Sequence, residues 1–134
     1  MKVEIQTEWY SVEQCRMNPK KLYVFGDNMI RIGKAGQAQI RDELNAFGIA
    51  TKRLPDMTDI SFFSDKQNEF VSILDDLHKL IEHYYSGEFE TIVIPADGLG
   101  TGLSKMPEKS PELFNWMNIT ISKLLNIDYN PSVN

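Results

Sequence analysis

Leu22-Tyr23-Val24-Phe25-Gly26-Asp27-Asn28 and Thr91-Ile92-Val93-Ile94-Pro95-Ala96-Asp97-Gly98-Leu99-Gly100-Thr101-Gly102 are the two stretches that decide the fold. Each opens on an apolar run that reads as a buried strand; the first runs directly into glycine and the second reaches it through Pro95-Ala96-Asp97. The first continues through Gly33-Lys34-Ala35-Gly36. Helical patterning follows both. Glycine admits positive φ and lets backbone N–H groups come close to a ligand. Between a strand and a helix start, such N–H groups form an anion site. Two loops of this kind imply opposite walls of a crevice for a phosphorylated ligand. The plainer alternatives are that Gly33 and Gly36 only shape a turn and a helix start, and that Asp27 is only a turn or cap residue. Three glycines between 98 and 102 are harder to explain that way, because each costs stability in the absence of a ligand.

Outward from these loops, strands and helices alternate. Val3–Trp9 alternates weakly, as an edge strand does, and Asn18–Lys21 is a turn. A helix is expected from Gly36 to about Phe47, on the spacing of Ala38, Ile40, Leu44 and Phe47, with Gly48 as its C-cap. Ile49–Arg53 reads as a short strand and 55–66 as a loop. Gln67–Tyr85 is the clearest helix, with Phe70, Leu74, Leu77, Ile81 and Tyr84 on one face. Ser86-Gly87 ends it. Ser110-Pro111-Glu112 has the chemistry of a helix start, a capping serine followed by proline at the first position. Leu113, Trp116, Met117, Ile121 and Leu124 form that helix's apolar face, and the tail 128–134 is expected to fray. Alternation of this kind predicts an α/β fold, three layers α/β/α around a mixed, mostly parallel sheet. Ligands then sit beyond the carboxyl ends of the strands, where both glycine loops fall.

The chain of 134 residues is expected to form a single domain, 1–134. Its net charge of −5 gives no electrostatic support to non-specific nucleic-acid binding or to an anionic membrane surface. A polyanionic ligand must therefore be held by local donors. With one cysteine, Cys15, there is neither an internal disulfide nor a multi-cysteine zinc site, and no metal or cofactor is expected. No apolar run is long enough to span a bilayer, no apolar signal core opens the chain, and a cytoplasmic protein is the expectation. Cys15 reads as a buried or edge residue. His78 and His83 lie five apart on a helix, point in different directions and read as surface residues. Phe62-Phe63 reads as core or as a stacking platform.

Familiar phosphate motifs fail. Gly98-Leu-Gly100-Thr-Gly102 lacks the glycine spacing of the dinucleotide fingerprint, and no acid near residue 120 is placed to grip a ribose. Gly33-Lys34 has Asn28 where a Walker loop needs glycine, and no Ser or Thr follows the lysine.

The two loops together resemble the ligand-binding stretches of macro domains. "VFGDNMIRIGKAGQAQIRDEL" is similar to their strand, Asn-containing loop and glycine-rich turn. "TIVIPADGLGTGLSKMPEKSP" is similar to the loop that wraps a diphosphate. The nearest subgroup is the one containing the terminal ADP-ribose protein glycohydrolase. There a lysine on the intervening strand forms a covalent adduct with the distal ribose, assisted by a carboxylate just after the second loop. The resemblance covers about residues 22 to 125. It implies that Lys52, in Ile49-Ala50-Thr51-Lys52-Arg53, is the lysine, whereas the carboxylate position falls on Ser104, a departure. The acid that grips adenine is not identifiable, with Glu8 or Glu13 as candidates.

The resemblance implies binding of ADP-ribose or an ADP-ribosylated macromolecule. Gly26, Asp27, Asn28, Gly33, Gly36 and Gln37 form one wall, and Asp97, Gly98, Leu99, Gly100, Thr101, Gly102 and Leu103 the other. Asn28 is expected on the distal ribose and the diphosphate along Gly98–Leu103. If the protein is a de-ADP-ribosylating hydrolase, Lys52 and Asp27 are its candidate catalytic residues. Valine at position 100 is expected to block binding and leave the fold intact. The alternatives are a non-catalytic sponge for another adenine-containing signal nucleotide, and an interaction module with a vestigial pocket.

Overall fold

The computed structural model describes residues 1–129. Strands β1 (Lys2–Gln6), β2 (Lys21–Asn28), β3 (Ala46–Lys52) and β4 (Thr91–Pro95) form one sheet in the order β1-β4-β2-β3. Helices α1 (Val12–Met17), α2 (Gln67–Ser86), α3 (Met106–Lys109) and α4 (Pro111–Leu125) surround it, with short 3-10 turns at Gly36–Ile40 and Asp59–Ser61. All three strand pairings are parallel. The expected mixed sheet is corrected accordingly: among the described residues, the one antiparallel contact is the isolated bridge between Lys52 and Phe62.

Side-chain alternation builds the layers. On β2 and β4, Leu22, Val24, Ile92 and Ile94 face one way and pack on Ile73, Leu77 and Leu80 of α2 and on Phe114, Met117 and Ile121 of α4. Tyr23, Phe25 and Val93 face the other way and meet Cys15 of α1 with Ala38 and Ile40 of the first 3-10 turn. The architecture is α/β in three layers.

One irregularity positions everything that follows. β4 and β2 pair only from Lys21–Thr91 to Tyr23–Val93. Beyond that point β2 stays with β3 and β4 stays with β1, so the two central strands part toward their carboxyl ends. Phenols occupy carbonyls at the split. Tyr10 Oη donates to Val24 O at 2.9 Å and is shared with Val93 O at 3.2 Å, and Tyr129 Oη donates to Pro95 O at 2.7 Å. Burial raises both phenols well above the ordinary tyrosine range, which keeps them protonated donors.

The outer edge of β3 is closed by side chains rather than by another strand. Asp76 of α2 accepts from Ala50 N at 2.8 Å, and Arg31 donates to Gly48 O at 3.1 Å. Arg31 and Asp76 are themselves paired at 2.6 Å.

Several expectations change. Residues 36–45 form only the 3-10 turn and a string of turns, 46 and 47 already belong to β3, and Leu44 is fully exposed. Long-range hydrogen bonds override local helical spacing there. Asn45 Nδ2 lies 2.8–3.0 Å from the carbonyls of Cys15, Asn18 and Lys21, and Arg41 is held by Asp27 and by Gly33 O. Gly48 is a β3 residue, not a C-cap. A Cβ built there collides with the Asp27 carboxylate. α1, with Ser11 Oγ accepting from Gln14 N, has no counterpart in the sequence reading.

Helix α2 buries Ile73, Leu77 and Leu80, while Leu74 remains 41% exposed, so its buried face is rotated from the expected stripe. Pro111 opens α4 as expected, but Ser110 Oγ has no hydrogen-bond partner. Asp65 caps the helix instead, accepting from Leu113 N at 2.9 Å. In the tail, Tyr129 is buried and anchored rather than frayed, and 130–134 lie outside the described residues. No helix among the described residues is long and apolar enough to cross a membrane.

Candidate functional site

Where β4 and β2 part, a cavity of about 390 Å³ opens at the carboxyl end of the sheet. The last residue of every strand reaches it: Gln6, Asn28, Lys52 and Pro95. This is the position that open parallel sheets reserve for ligands, and the volume lies in the range of small-molecule sites, about 300–1,000 Å³. The loop after β2 forms one wall and the loop after β4 the other. The residues expected to bind ligand line it, with one exception: Leu99 turns into the core and is 1% exposed.

Both loops depend on backbone conformations that favour glycine. Gly33, Gly98 and Gly100 have φ of +98°, +90° and +85°. Among the described residues, no acceptor in the protein faces the backbone N–H groups of Gly33–Gly36 on one wall or Gly100–Ser104 on the other. Two loops with unpaired backbone donors thus border one cavity. Gly26 lets the second loop come close to β2: a Cβ there would lie 3.2 Å from Thr51 Oγ1 and 3.6 Å from Gly100 N.

Asp27 is not free to act on a ligand. Its carboxylate, 3% exposed, receives both terminal nitrogens of Arg41 at 2.6 and 2.8 Å, and also accepts from Asn28 N. Arg41 reaches on to Gly33 O at 2.8 Å, so the pair clamps the first glycine loop onto β2. Asn28 acts on the same loop. Its Nδ2 donates to Ile32 O at 2.7 Å and its Oδ1 accepts from Ile32 N at 3.3 Å, an arrangement that closes the turn. Asp97 is the exposed carboxylate on the cavity wall.

Lys52 lines the cavity with its side chain buried. Its Nζ donates to Asp56 O at 2.6 Å and stands 4.9 Å from the centre of the Phe62 ring. Burial lowers the pKa of this amine below the usual lysine value, with Asp56 acting against the shift. Phe62 and Phe63 are both buried, Phe63 in the core, and neither lines the cavity. Arg53 points away from Lys52 and pairs with buried Glu69 at 2.6 Å.

Ser104 forms a hydroxyl pair with Thr51, Oγ to Oγ1 at 2.6 Å. Thr51 Oγ1 also lies 3.1 Å from Asp27 O, so the hydroxyl pair ties the second loop to β2. Glu8 and Glu13 are exposed and do not line the cavity. Cys15 is buried, His78 lies on the exposed face of α2, and His83 is half-buried beside Phe47 and Phe89.

Sequence reasoning missed Trp9 and Arg41, and took Ser104 only as a departure at the carboxylate position. Arg41 has a glycine-loop carbonyl and a buried acid as partners, and neither can be read from neighbours in the chain. Trp9 was read as the last residue of the weak edge strand, whereas β1 ends at Gln6, and nothing local says that it stands at a cavity.

A family model described as a family of unknown function (DUF7831) matches residues 5–120. The chain belongs to the DUF7831 family. All the cavity-lining residues, from Gln6 to Ser104, fall inside the span that defines DUF7831 here. No curated protein and no solved structure matches the chain.

Proposed function

We propose that this DUF7831 protein is a macro-domain-like binder of ADP-ribose, free or attached to a macromolecule. One observation carries the reading: two glycine loops whose backbone N–H groups have no acceptor in the protein border one cavity at the carboxyl ends of parallel strands. A diphosphate is accommodated along Gly100–Ser104 against the chain's overall negative charge. With its lone cysteine buried and unpaired, the chain suits a cytoplasmic setting.

Gly102 supplies the test. A Cβ at this position meets nothing within 4 Å, and its φ is not positive, so Gly102→Val leaves the protein's own packing undisturbed. Calorimetric titration with ADP-ribose should give measurable heat with the unmodified protein. Gly102→Val should weaken binding by roughly 10- to 100-fold, the worth of one hydrogen bond to a charged group, with Tm unchanged. Absence of heat and of thermal shift at millimolar ADP-ribose overturns the reading.

A hydrolytic reading is favoured by Lys52 alone, a buried amine of lowered pKa on the cavity wall. Deprotonated, its Nζ would attack C1 of the distal ribose and release the carboxylate of a modified side chain. Asp27 is engaged by Arg41, and Ser104 carries no carboxylate. Binding without turnover is therefore our principal conclusion. Cyanoborohydride should trap an ADP-ribose adduct on Lys52, and not in Lys52→Ala, if the amine is nucleophilic. Full retention of ADP-ribose binding by Lys52→Ala, with no adduct in either protein, leaves a binder only.

A further inference from the structure

Trp9 is 67% exposed, yet the chain that carries it is held from several directions. Gln6 Nε2 donates to Glu8 O at 3.0 Å and to Trp9 O at 3.4 Å, and Gln14 fixes Gln6 in turn through a contact of 2.7 Å. Tyr10 N donates to Gln37 Oε1 at 2.8 Å, and Gln39 Nε2 reaches Tyr10 O. The Tyr10 phenol is tied to both central strands at the split. A backbone tethered this firmly, bearing a large apolar ring in solvent, is a preorganised surface.

The indole stands at the cavity lip. A Cβ built on Gly36 would lie 3.8 Å from Trp9 Cζ3 and 4.0 Å from Leu103 Cδ1, so side chains from two other segments converge over that glycine. Leu103 is 52% exposed and Ile32 is 58% exposed, and both line the same cavity. The lip is thus apolar and ringed, while open N–H donors lie on the cavity walls. An amphipathic ligand matches this division, with a flat ring at one end and an anionic group at the other.

Two of the side chains near the ring are committed to the backbone that carries it, and the nearby acids lie elsewhere. Gln6 Nε2 and Gln37 Oε1 hold the backbone around Trp9, and Glu8 and Glu13 lie off the cavity. We infer that Trp9 is the stacking platform for a nucleobase, and that it reads the base's face rather than its hydrogen-bonding edge. The inference rests on the nucleotide reading above but is separable from it. Every base has a π-face, so stacking of this kind tolerates changes of base.

The experiment uses the full chain carrying Trp116→Phe, which leaves Trp9 as the sole tryptophan and keeps a ring against Phe70. Fluorescence is followed during titration with ADP-ribose, AMP, inosine monophosphate and base-free ribose 5-phosphate, with calorimetry in parallel. The base-bearing ligands should quench Trp9 and ribose 5-phosphate should not. AMP and inosine monophosphate, which differ in the exocyclic amine, should bind within about threefold of each other, as expected where the edge is not read. Trp9→Ala should weaken the base-bearing ligands by about 5- to 150-fold, the range of one base–aromatic stack. Trp9→Phe should restore most of that loss.

ADP-ribose that binds by calorimetry without quenching Trp9, and equally well to Trp9→Ala, overturns the platform and leaves the ADP-ribose reading standing. Purine monophosphates that quench Trp9 while ADP-ribose does not bind uphold the platform and overturn the ADP-ribose reading. A preference beyond about 30-fold between AMP and inosine monophosphate shows edge recognition and also overturns the inference. No binding by any base-bearing ligand at millimolar concentration overturns both.

Discussion

Asp27→Ala should cost the folded protein about 3–5 kcal/mol, the usual consequence of removing one partner from a buried ion pair. The Asp27 side chain is 3% exposed and that of Arg41 is 14% exposed, so the stranded guanidinium is poorly reached by water. Arg31, 3.5 Å from the same carboxylate, loses a counter-charge as well. The damage extends along the loop, because Arg41 also holds Gly33 O and is itself oriented by Asp27. Urea denaturation checks the value. Asp27→Asn should also destabilise, since it keeps the shape of the side chain and loses the charge. A loss below about 1 kcal/mol, accompanied by lost ligand binding, contradicts this account and makes Asp27 a ligand-directed group.

Gly100→Val should lower Tm by about 10 °C or more, reflecting a loss of roughly 2–5 kcal/mol. Two effects combine. At φ +85° a β-branched residue is strained. A Cβ at position 100 also runs into the side chain of Met106, which is fully buried at the start of α3. The sequence reading expected this substitution to spare the fold and block only the ligand, and the structure reverses that. The loop's second glycine serves packing against Met106, and Gly102 is the position open to the cavity. Thermal denaturation of the two valine variants side by side should separate them. A Gly100→Val protein within about 2 °C of the unmodified one contradicts the packing account.

The contrast between these glycines shows what a single chain makes legible. Strand-to-glycine junctions at Phe25–Gly26 and Pro95–Gly98 are local events, and the sequence placed both loops at the carboxyl ends of strands. α2 was legible in extent because nearly 20 residues of helical spacing outweigh local noise. Its buried face was not, since α4 and β3 choose which side is covered. Residues 41–48 were misread because their conformation is set by partners far away in the chain. Asn45 joins the carbonyls around α1, and Gly48 leaves room for the Asp27 carboxylate. The role of Arg41 is illegible for the same reason: an arginine in a polar stretch carries no local mark of the acid it will meet.

The closed edge of β3 bears on how this protein behaves in a crowded solution. An uncapped strand edge is a template on which a neighbouring chain can lengthen the sheet. Here Asp76 and Arg31 occupy the outward-facing Ala50 N–H and Gly48 carbonyl. The opposite border of the sheet is the five-residue β1, whose Lys2 and Glu4 are exposed and charged. One border is thus blocked by its own side chains, and the other is short and charged. Among the described residues the sheet stops at four strands, and copies of the molecule meeting edge to edge find little to extend into a fibre.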